Sequence, residues 1–182
     1  HFFMDKAFEE IAYDDRAFPI GFEQTISQPY TVAIMSELLD LSPGMKVLEV
    51  GTGSGYQAAV LSLMGAEVHS IERFAKLSQA AAQMLDKLQI ANVQLYSGDG
   101  YQGLKDEAPF DRIIVTAGAP YLPEALKTQL KPGGVMVIPI GEGAVQKMHR
   151  IVYQAASQWQ DTILGDFKFV PMLGGMGDEL ER

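Results

Sequence analysis

The feature that most constrains the fold is a short apolar strand that runs directly into a glycine-rich turn and a helix. Residues 47–57 read V-L-E-V-G-T-G-S-G-Y-Q, with glycines at alternate positions, and an apolar helical segment, 58–64, follows at once. Glycines after a strand allow positive φ and let a ligand lie against bare backbone. The pattern predicts a strand–turn–helix unit that binds a ligand at the turn, with a tight turn that binds nothing as the alternative.

The spacing of the glycines narrows the choice of ligand. A dinucleotide-binding turn requires G-x-G-x-x-G/A. The frame that starts at Gly51 fails at Tyr56, and the frame that starts at Gly53 fits formally through Ala58. The second frame leaves Glu49 at the carboxyl end of the strand. A carboxylate there disfavours a pyrophosphate and favours a cationic or zwitterionic ligand. E-x-G-x-G-x-G resembles the first motif of the S-adenosylmethionine-dependent methyltransferases, whose cofactor carries a sulfonium and an ammonium group but no phosphate.

Strands and helices alternate along most of the chain, which predicts an α/β fold. The expected architecture is Rossmann-like, a doubly wound and mostly parallel sheet with helices on both faces, preceded by an N-terminal helical leader. The last two strands have no long helix between them and should pair antiparallel at one edge. Strands are predicted at 46–50, 67–71, 93–96, 111–116, 135–139, 147–154 and 162–169, and helices at 29–41, 55–64, 74–88 and 121–129.

Length and composition favour one enzyme-sized domain over a membrane or nucleic-acid-binding protein. We expect a single domain, 1–182, with a leader and helix (1–43) that roof the active site, a cofactor-binding core (44–143), and C-terminal edge strands and a loose tail (144–182). The net charge of −9 disfavours nucleic acid. The lack of a signal peptide, of a long apolar run and of cysteine favours a cytoplasmic protein, which we expect to be a monomer. Three scattered histidines predict no metal site.

Three acids are predicted at the carboxyl ends of neighbouring strands, where open parallel sheets bind ligands. Glu49 ends the first strand, Glu72 ends the second, 21 residues after Gly51, and Asp99 follows the third. An acid at the second position can accept both hydroxyls of a ribose. An acid at the third can accept from an adenine amino group. The alternatives are a solvated strand end for Glu72 and a G-D-G turn for Asp99.

The leader contains a second distinctive segment, F-P-I-G-F-E-Q-T-I-S-Q-P-Y at 18–30. It is too apolar for a spacer. Ser27 lies just before Pro29 at a predicted helix start, where serine is a favoured N-cap. Taken alone, this residue is therefore interpreted as a helix cap.

Several segments together resemble the protein-L-isoaspartate O-methyltransferases. They are P-I-G-F-E-Q-T-I-S-Q-P, V-L-E-V-G-T-G-S-G-Y-Q-A-A-V-L, I-E-R, G-D-G-Y-Q-G, A-P-F-D-R-I-I-V-T and Q-L-K-P-G-G, within about 12–171. The resemblance implies methyl transfer from S-adenosyl-L-methionine, with S-adenosyl-L-homocysteine as the product, to the α-carboxylate of isoaspartyl residues in damaged proteins and peptides. It gives Ser27 a second, compatible role between cofactor and substrate, because a helix N-terminus offers N–H donors to an anion.

The resemblance also assigns the other site residues. Ser27 is the implied catalytic residue, and the segment 169–172 resembles a stretch that closes over the substrate peptide. Two positions depart from the family: Glu23 stands where many bacterial relatives have glycine, and Gly118 where alanine is common. The implied cofactor residues are Glu49, Gly51, Thr52, Gly53, Gly55, Glu72, Asp99 and Gly100, and the implied substrate residues are Ile20, Thr25, Ile26, Gln28, Pro29 and Val170.

Other functions are distinguishable in principle. A methyltransferase that acts on a small-molecule carboxylate would not discriminate isoaspartyl from aspartyl peptides. A binding module that has lost transfer would bind the cofactor without turnover. An oxidoreductase is disfavoured by Glu49, and a nucleic-acid methyltransferase by the acidic charge and by the lack of an N-P-P-Y-type segment after 111–116.

Overall fold

The computed structural model describes residues 1–154 and 158–177, which fold around one seven-stranded sheet and a small N-terminal hairpin. The strands are β1 Phe18–Gly21, β2 Gln24–Ile26, β3 Lys46–Val50, β4 Glu67–Glu72, β5 Val93–Ser97, β6 Phe110–Val115, β7 Leu130–Ile140, β8 Gln146–Tyr153 and β9 Trp159–Phe167. The α-helices are α1 Pro29–Leu38, α2 Tyr56–Leu63, α3 Ala75–Lys87 and α4 Glu124–Lys127, with 3-10 turns η1 Lys6–Ile11 and η2 Gly100–Gln102.

The strand order, β5-β4-β3-β6-β7-β8-β9, confirms the expected fold class. The first five strands in this order run parallel, and β8 and β9 add antiparallel at one edge. Alternate residues of the central strands pack into two cores. Val47 joins the core that contains residues of α1 and α2, whereas Leu48 joins the core that contains Leu126 of α4. The order reverses at β3 and β6, so their carboxyl ends border a crevice.

The N-terminal leader and helix contain α1, as expected, preceded by two elements that the sequence did not reveal. These are the 3-10 turn η1 and the β1–β2 hairpin, in which Phe18 pairs with Ile26. The two turn residues, Phe22 and Glu23, both have positive φ (52° and 57°), a conformation that hairpins usually assign to Asn-Gly. Because that signal is missing, the hairpin was not predicted. The ring of Phe22 stacks on that of Phe74, with centroids 5.3 Å apart.

The prediction of a helix over 121–129 was too long. Only α4, Glu124–Lys127, is helical, and it begins directly after Pro123. The K-P-G-G segment, which directly precedes the strand predicted at 135–139, lies within the long strand β7, where the pairing with β6 shifts register between Phe110 and Arg112. The sequence pattern therefore placed the start of this strand too late, because its start is determined by pairing with β6.

The tail was expected to be loose, but its described part is held against the sheet. Arg73 donates from Nε to the Gly175 carbonyl and from Nη2 to the carbonyls of Gly174 and Met176, each at 3.2 Å. We call residues 168–177 the C-terminal belt. The rest of the predicted tail, 178–182, lies outside the described residues. None of the helices within 1–154 and 158–177 has the length and hydropathy to cross a bilayer.

Candidate active site

An open cleft of about 810 Å³, its mouth included, lies at the carboxyl ends of β3, β4 and β6. Its floor is the glycine turn after β3. Its walls come from the β1–β2 hairpin and the C-terminal belt. Of the residues predicted for the site, the cleft is lined by Ile20, Thr25, Ile26, Ser27, Gly51, Thr52, Gly53, Glu72, Gly100 and Val170.

The glycine turn is shaped by close approach as well as by backbone conformation. Gly51 has φ of 100°, and a Cβ placed there would lie 2.4 Å from Thr116 Oγ1. That hydroxyl donates to the carbonyls of Val50 and Gly51 at 3.0 and 2.7 Å, which ties the turn to the end of β6. Gly100 is equally confined, because a Cβ would lie 2.5 Å from Val50 Cγ1. The turn therefore presents bare backbone to the cleft.

Glu72 is held where it can accept hydrogen bonds from a ligand. Its side chain is only 6% exposed and lines the cleft. Oε2 accepts from Gly53 N at 2.9 Å, and Oε1 accepts from Phe74 N at 3.1 Å. Each carboxylate oxygen can accept a further hydrogen bond. This geometry fits the predicted recognition of ribose hydroxyls.

Glu49 lies beneath the turn and does not line the cleft. It is fully buried; Ser70 Oγ donates to its Oε2, and the hydroxyls of Ser70 and Thr52 are 2.6 Å apart. Burial raises the pKa of Glu49 to about 8, with Glu72 contributing and the Ser70 hydrogen bond opposing. Its Oε1 has no partner among the described residues. A direct contact between Glu49 and a cofactor stays a prediction. In the structure, Glu49 is connected to the glycine turn through the hydroxyls of Ser70 and Thr52.

Two other predicted cofactor residues are also absent from the lining of the cleft. Asp99 caps η2, since its Oδ1 accepts from Tyr101 N at 2.9 Å. Gly55 has φ of 85° at the start of α2, and a Cβ there would lie 3.2 Å from the Cβ of Ala81 in α3. Neither residue is among those that line the cleft. The structure gives Asp99 a capping role and Gly55 a helix-packing role, while contact with a cofactor stays a prediction for both.

The interpretation of Ser27 as a helix cap is wrong. The N-cap of α1 is Gln28, which makes no side-chain capping bond. Asp15 of the leader supplies the cap instead: its Oδ1 accepts from Tyr30 N at 3.0 Å, and its Oδ2 accepts from Gln28 Nε2 at 3.2 Å. Within the described part of the chain the Ser27 hydroxyl has no hydrogen-bond partner, so it is available to a ligand.

Ser27 stands where three cavities meet. It lines the main cleft, a smaller cavity bordered by Gln28, Thr116 and Val170, and a third, largely aromatic cavity that includes Pro29. The predicted substrate residues therefore surround Ser27 but divide among the three spaces. Ile20, Thr25, Ile26 and Val170 line the main cleft, and Thr25 and Val170 also line the second cavity and Ile26 the third. Gln28 lines the second cavity and Pro29 the third, and neither lines the main cleft.

Comparison with known proteins decides the family. A sequence model of the family described as protein-L-isoaspartate(D-aspartate) O-methyltransferase (PCMT) matches residues 1–177. The chain belongs to the protein-L-isoaspartate O-methyltransferase family. It is 55% identical over 173 residues to the Flavobacterium psychrophilum protein-L-isoaspartate O-methyltransferase (95% of this chain, 81% of the relative) and 52% identical over 177 residues to that of Cytophaga hutchinsonii (97% and 80%).

Solved structures agree with this assignment. A protein-L-isoaspartate O-methyltransferase superposes with a TM-score of 0.86 at 33% identity, over 99% of this chain and 60% of its own. The Plasmodium falciparum beta-aspartate methyltransferase (PCMT), solved in complex with S-adenosyl-L-homocysteine, gives a TM-score of 0.76 at 27% identity, over 94% and 84%. The present chain thus spans about four fifths of the curated relatives above and a smaller share of the first solved structure.

Within this family assignment, sequence reasoning missed several residues that line the cleft. Tyr56, Arg73, Phe74 and Thr116 all contribute to its walls. Thr116 could have been found, because it is the last residue of the strand predicted at 111–116, at the end of the sheet where ligands bind. The aromatic residues carry no comparable signal, since apolar side chains near a strand end are more often part of a core.

Proposed function

We propose that this chain transfers a methyl group from S-adenosyl-L-methionine to the free α-carboxylate of L-isoaspartyl residues in damaged proteins and peptides. In the methyl ester, a backbone amide nitrogen then displaces methanol from the ester carbonyl to close a succinimide ring, and hydrolysis reopens the ring partly to L-aspartyl. The observation that carries the proposal is Ser27: its hydroxyl is unused within the described chain, and it stands between the glycine turn and the substrate cavities. The name of the family supports the same reaction.

The cleft fits the proposed cofactor. Backbone at Gly51 and Gly53 is bare, Glu72 retains acceptor capacity, and Gly100 faces the same space. Oε1 of Glu49, which has no partner among the described residues, adds a buried polar atom near the turn and, when the carboxyl group is ionised, negative charge, which suits a ligand with two cationic centres. When bound, S-adenosyl-L-methionine supplies an electrophilic methyl group on its sulfonium, and S-adenosyl-L-homocysteine is the product. A likeness to a structure solved with that product supports this assignment.

The protein's role in the reaction is positioning. A substrate carboxylate is already ionised at neutral pH, so no general base is needed to activate it. We assign Ser27 as the donor that orients the carboxylate, and we assign Ile20, Thr25, Ile26, Gln28, Pro29 and Val170 to the substrate walls. Holding two reactants in line can account for much of a rate enhancement without proton transfer.

The remaining features of the proposal concern the whole protein. We propose one domain over 1–182, with 1–43 as the roof, 44–143 as the cofactor core and 144–182 as edge strands and tail. We further propose that it acts as a cytoplasmic monomer on peptides and proteins, without membrane or nucleic-acid partners. The acidic net charge of −9 supports the last point, because nucleic-acid binding depends on neutralising phosphates.

The test is labelled methyl transfer to two peptides that differ only in carrying isoaspartate or aspartate at one position. The product is scored as a base-labile methyl ester. The proposal expects label on the isoaspartyl peptide alone. Equal labelling of both peptides, or labelling of a small carboxylic acid in preference to either, would point to a small-molecule methyltransferase. Cofactor binding without any labelling would leave the fold assignment intact and remove the substrate assignment.

A further inference from the structure

The C-terminal belt forms one wall of the cleft, and its path is determined by contacts with two other loops. Gly118, after β6, pairs with it through the main chain: Gly118 N donates to the Val170 carbonyl, and Met172 N donates to the Gly118 carbonyl, both at 2.8 Å. Tyr101 also donates from its hydroxyl to the Met172 carbonyl at 3.2 Å. These bonds attach the middle of the belt.

The start of the belt is held by one buried side chain, Gln146, at the beginning of β8. Gln146 is 3% exposed. Its Oε1 accepts from Phe169 N at 3.0 Å, and its Nε2 donates to the Gly143 carbonyl at 2.7 Å. Both ends of the amide are therefore satisfied by backbone. Phe169 and Val170, the next residue, border the small cavity that also contains Ser27.

The side chain of Gln146 occupies space that is free because Gly118 has no side chain. A Cβ on Gly118 would lie 2.7 Å from Gln146 Cδ and 3.0 Å from its Cγ. Gly118 does not have positive φ, so glycine is required there by space and not by backbone conformation. The departure from alanine at this position thus has a structural reason. Gly118 and Gln146 form a matched pair.

We infer that Gln146 is a positioning residue for the substrate wall. It does not line the main cleft, and it acts by fixing Phe169 and Val170 opposite Ser27. This inference rests on the proposed function. The glycine turn and Glu72, on the cofactor half of the cleft, have their own hydrogen bonds. The loss of Gln146 should therefore affect the substrate half, around Ser27 and Val170, more than the cofactor half.

The first variant is Gln146→Met, which keeps the length of the side chain but removes both hydrogen bonds. We expect the KM for the isoaspartyl peptide to rise roughly three- to ten-fold, the range that corresponds to the net loss of one or two hydrogen bonds. The Kd for S-adenosyl-L-methionine, measured by calorimetry, should change less than about two-fold. Unchanged peptide KM, or an equal loss of cofactor affinity, would contradict the inference.

The chain offers a matched control in Gln129. It too is 3% exposed and braces backbone with both ends of its amide: Oε1 accepts from Leu104 N at 2.8 Å and Nε2 donates to the Gln102 carbonyl at 2.7 Å. It also faces a glycine, since a Cβ on Gly103 would lie 2.5 Å from its Oε1. Gln129→Met should lower thermal stability as Gln146→Met does. Because Gln129 braces η2 beside Gly100 of the predicted cofactor site, any effect on binding should appear in the Kd for S-adenosyl-L-methionine and not in the peptide KM. A similar rise in KM in both variants would indicate a general packing effect.

A second test keeps Gln146 in place. Gly118→Ala should push its side chain aside and raise the peptide KM without deleting any hydrogen-bonding group. In the Gln146→Ala background the new methyl group has room, so adding Gly118→Ala should cause no further rise. Additive effects would overturn the pairing. Failure of the wild-type chain to label the isoaspartyl peptide would instead overturn the proposed function, which separates the two outcomes.

Discussion

At the scale of single residues, the Ser27 hydroxyl is free to bind a ligand because an aspartate of the leader caps the following helix. The helix start at α1 needs a cap, and a serine two residues before a proline is a natural candidate. Asp15 provides that cap from the leader. The hydroxyl of Ser27 is therefore left for a ligand, although local sequence alone favours the opposite role.

Two variants can therefore distinguish a role in catalysis from a role in helix capping. Ser27→Ala should lower turnover roughly ten- to hundred-fold, the effect of losing a hydrogen bond to a charged group, while changing the melting temperature little. Asp15→Ala should lower stability by about 1 kcal/mol, as loss of a cap does, with nearly normal turnover. Steady-state kinetics and thermal unfolding of both variants test this. Destabilisation by Ser27→Ala with normal turnover would reverse the assignment.

The predicted acids show what sequence could and could not establish at this scale. Placing Glu49, Glu72 and Asp99 at strand ends was sound, because strand ends follow from the alternation of elements. Which acid faces the cleft depends on its neighbours: Glu49 is covered by Ser70, 21 residues away, and Asp99 is occupied with Tyr101 N. Only Glu72 lines the cleft. Such pairings are tertiary and are not readable from local pattern.

At the scale of secondary-structure elements, long periodic segments were predictable and short ones were not. The five parallel strands and α3 follow from hydrophobic pattern. The β1–β2 hairpin, with strands of four and three residues, lacks the turn residues that would reveal it and is stabilised by Phe22 on Phe74. The described end of the belt was expected to be loose because glycines dominate it, yet Arg73 holds three of its carbonyls.

The attachment of the belt by Arg73 predicts an effect on cofactor binding. Arg73→Gln removes most of the hydrogen bonds to Gly174, Gly175 and Met176 and should loosen the end of the belt. Ordering that end again when the cofactor binds would then reduce the binding free energy. We expect the Kd for S-adenosyl-L-methionine to rise about three- to ten-fold, measured by calorimetry. Lys147→Gln, which breaks an exposed ion pair with Asp166 on the far edge of the sheet, is the control and should leave the Kd unchanged. An unchanged Kd in Arg73→Gln would show that the belt end does not support the cofactor half.

At the scale of the whole molecule, one buried carboxyl group couples stability to pH. The pKa of Glu49 is about 8 in the folded protein, against its ordinary value of 4.5. Between these values the folded state holds a proton that the unfolded state releases. The free energy of unfolding therefore falls as pH rises from about 4.5 to 8, by at most about 1.4 kcal/mol per pH unit, and levels off above pH 8.

Glu49→Gln removes this proton and keeps the shape of the side chain. In the absence of cofactor, the variant should match the wild type near pH 4 and become progressively more stable than it up to about pH 8. Denaturant unfolding at several pH values measures the difference directly. A difference in stability that does not vary with pH would mean that Glu49 ionises at an ordinary pKa in the folded protein.

The belt also determines when during synthesis the cleft can be completed. Arg73 and its bonding partner Gly175 are 102 residues apart, and at roughly 5–20 residues per second a ribosome needs on the order of 5–20 s to make that stretch. The glycine turn and Ser27 emerge long before the wall that faces them. A nascent or C-terminally clipped chain can thus have the glycine turn and Ser27 while lacking one wall of the cleft, so competence for the proposed methyl transfer arrives last.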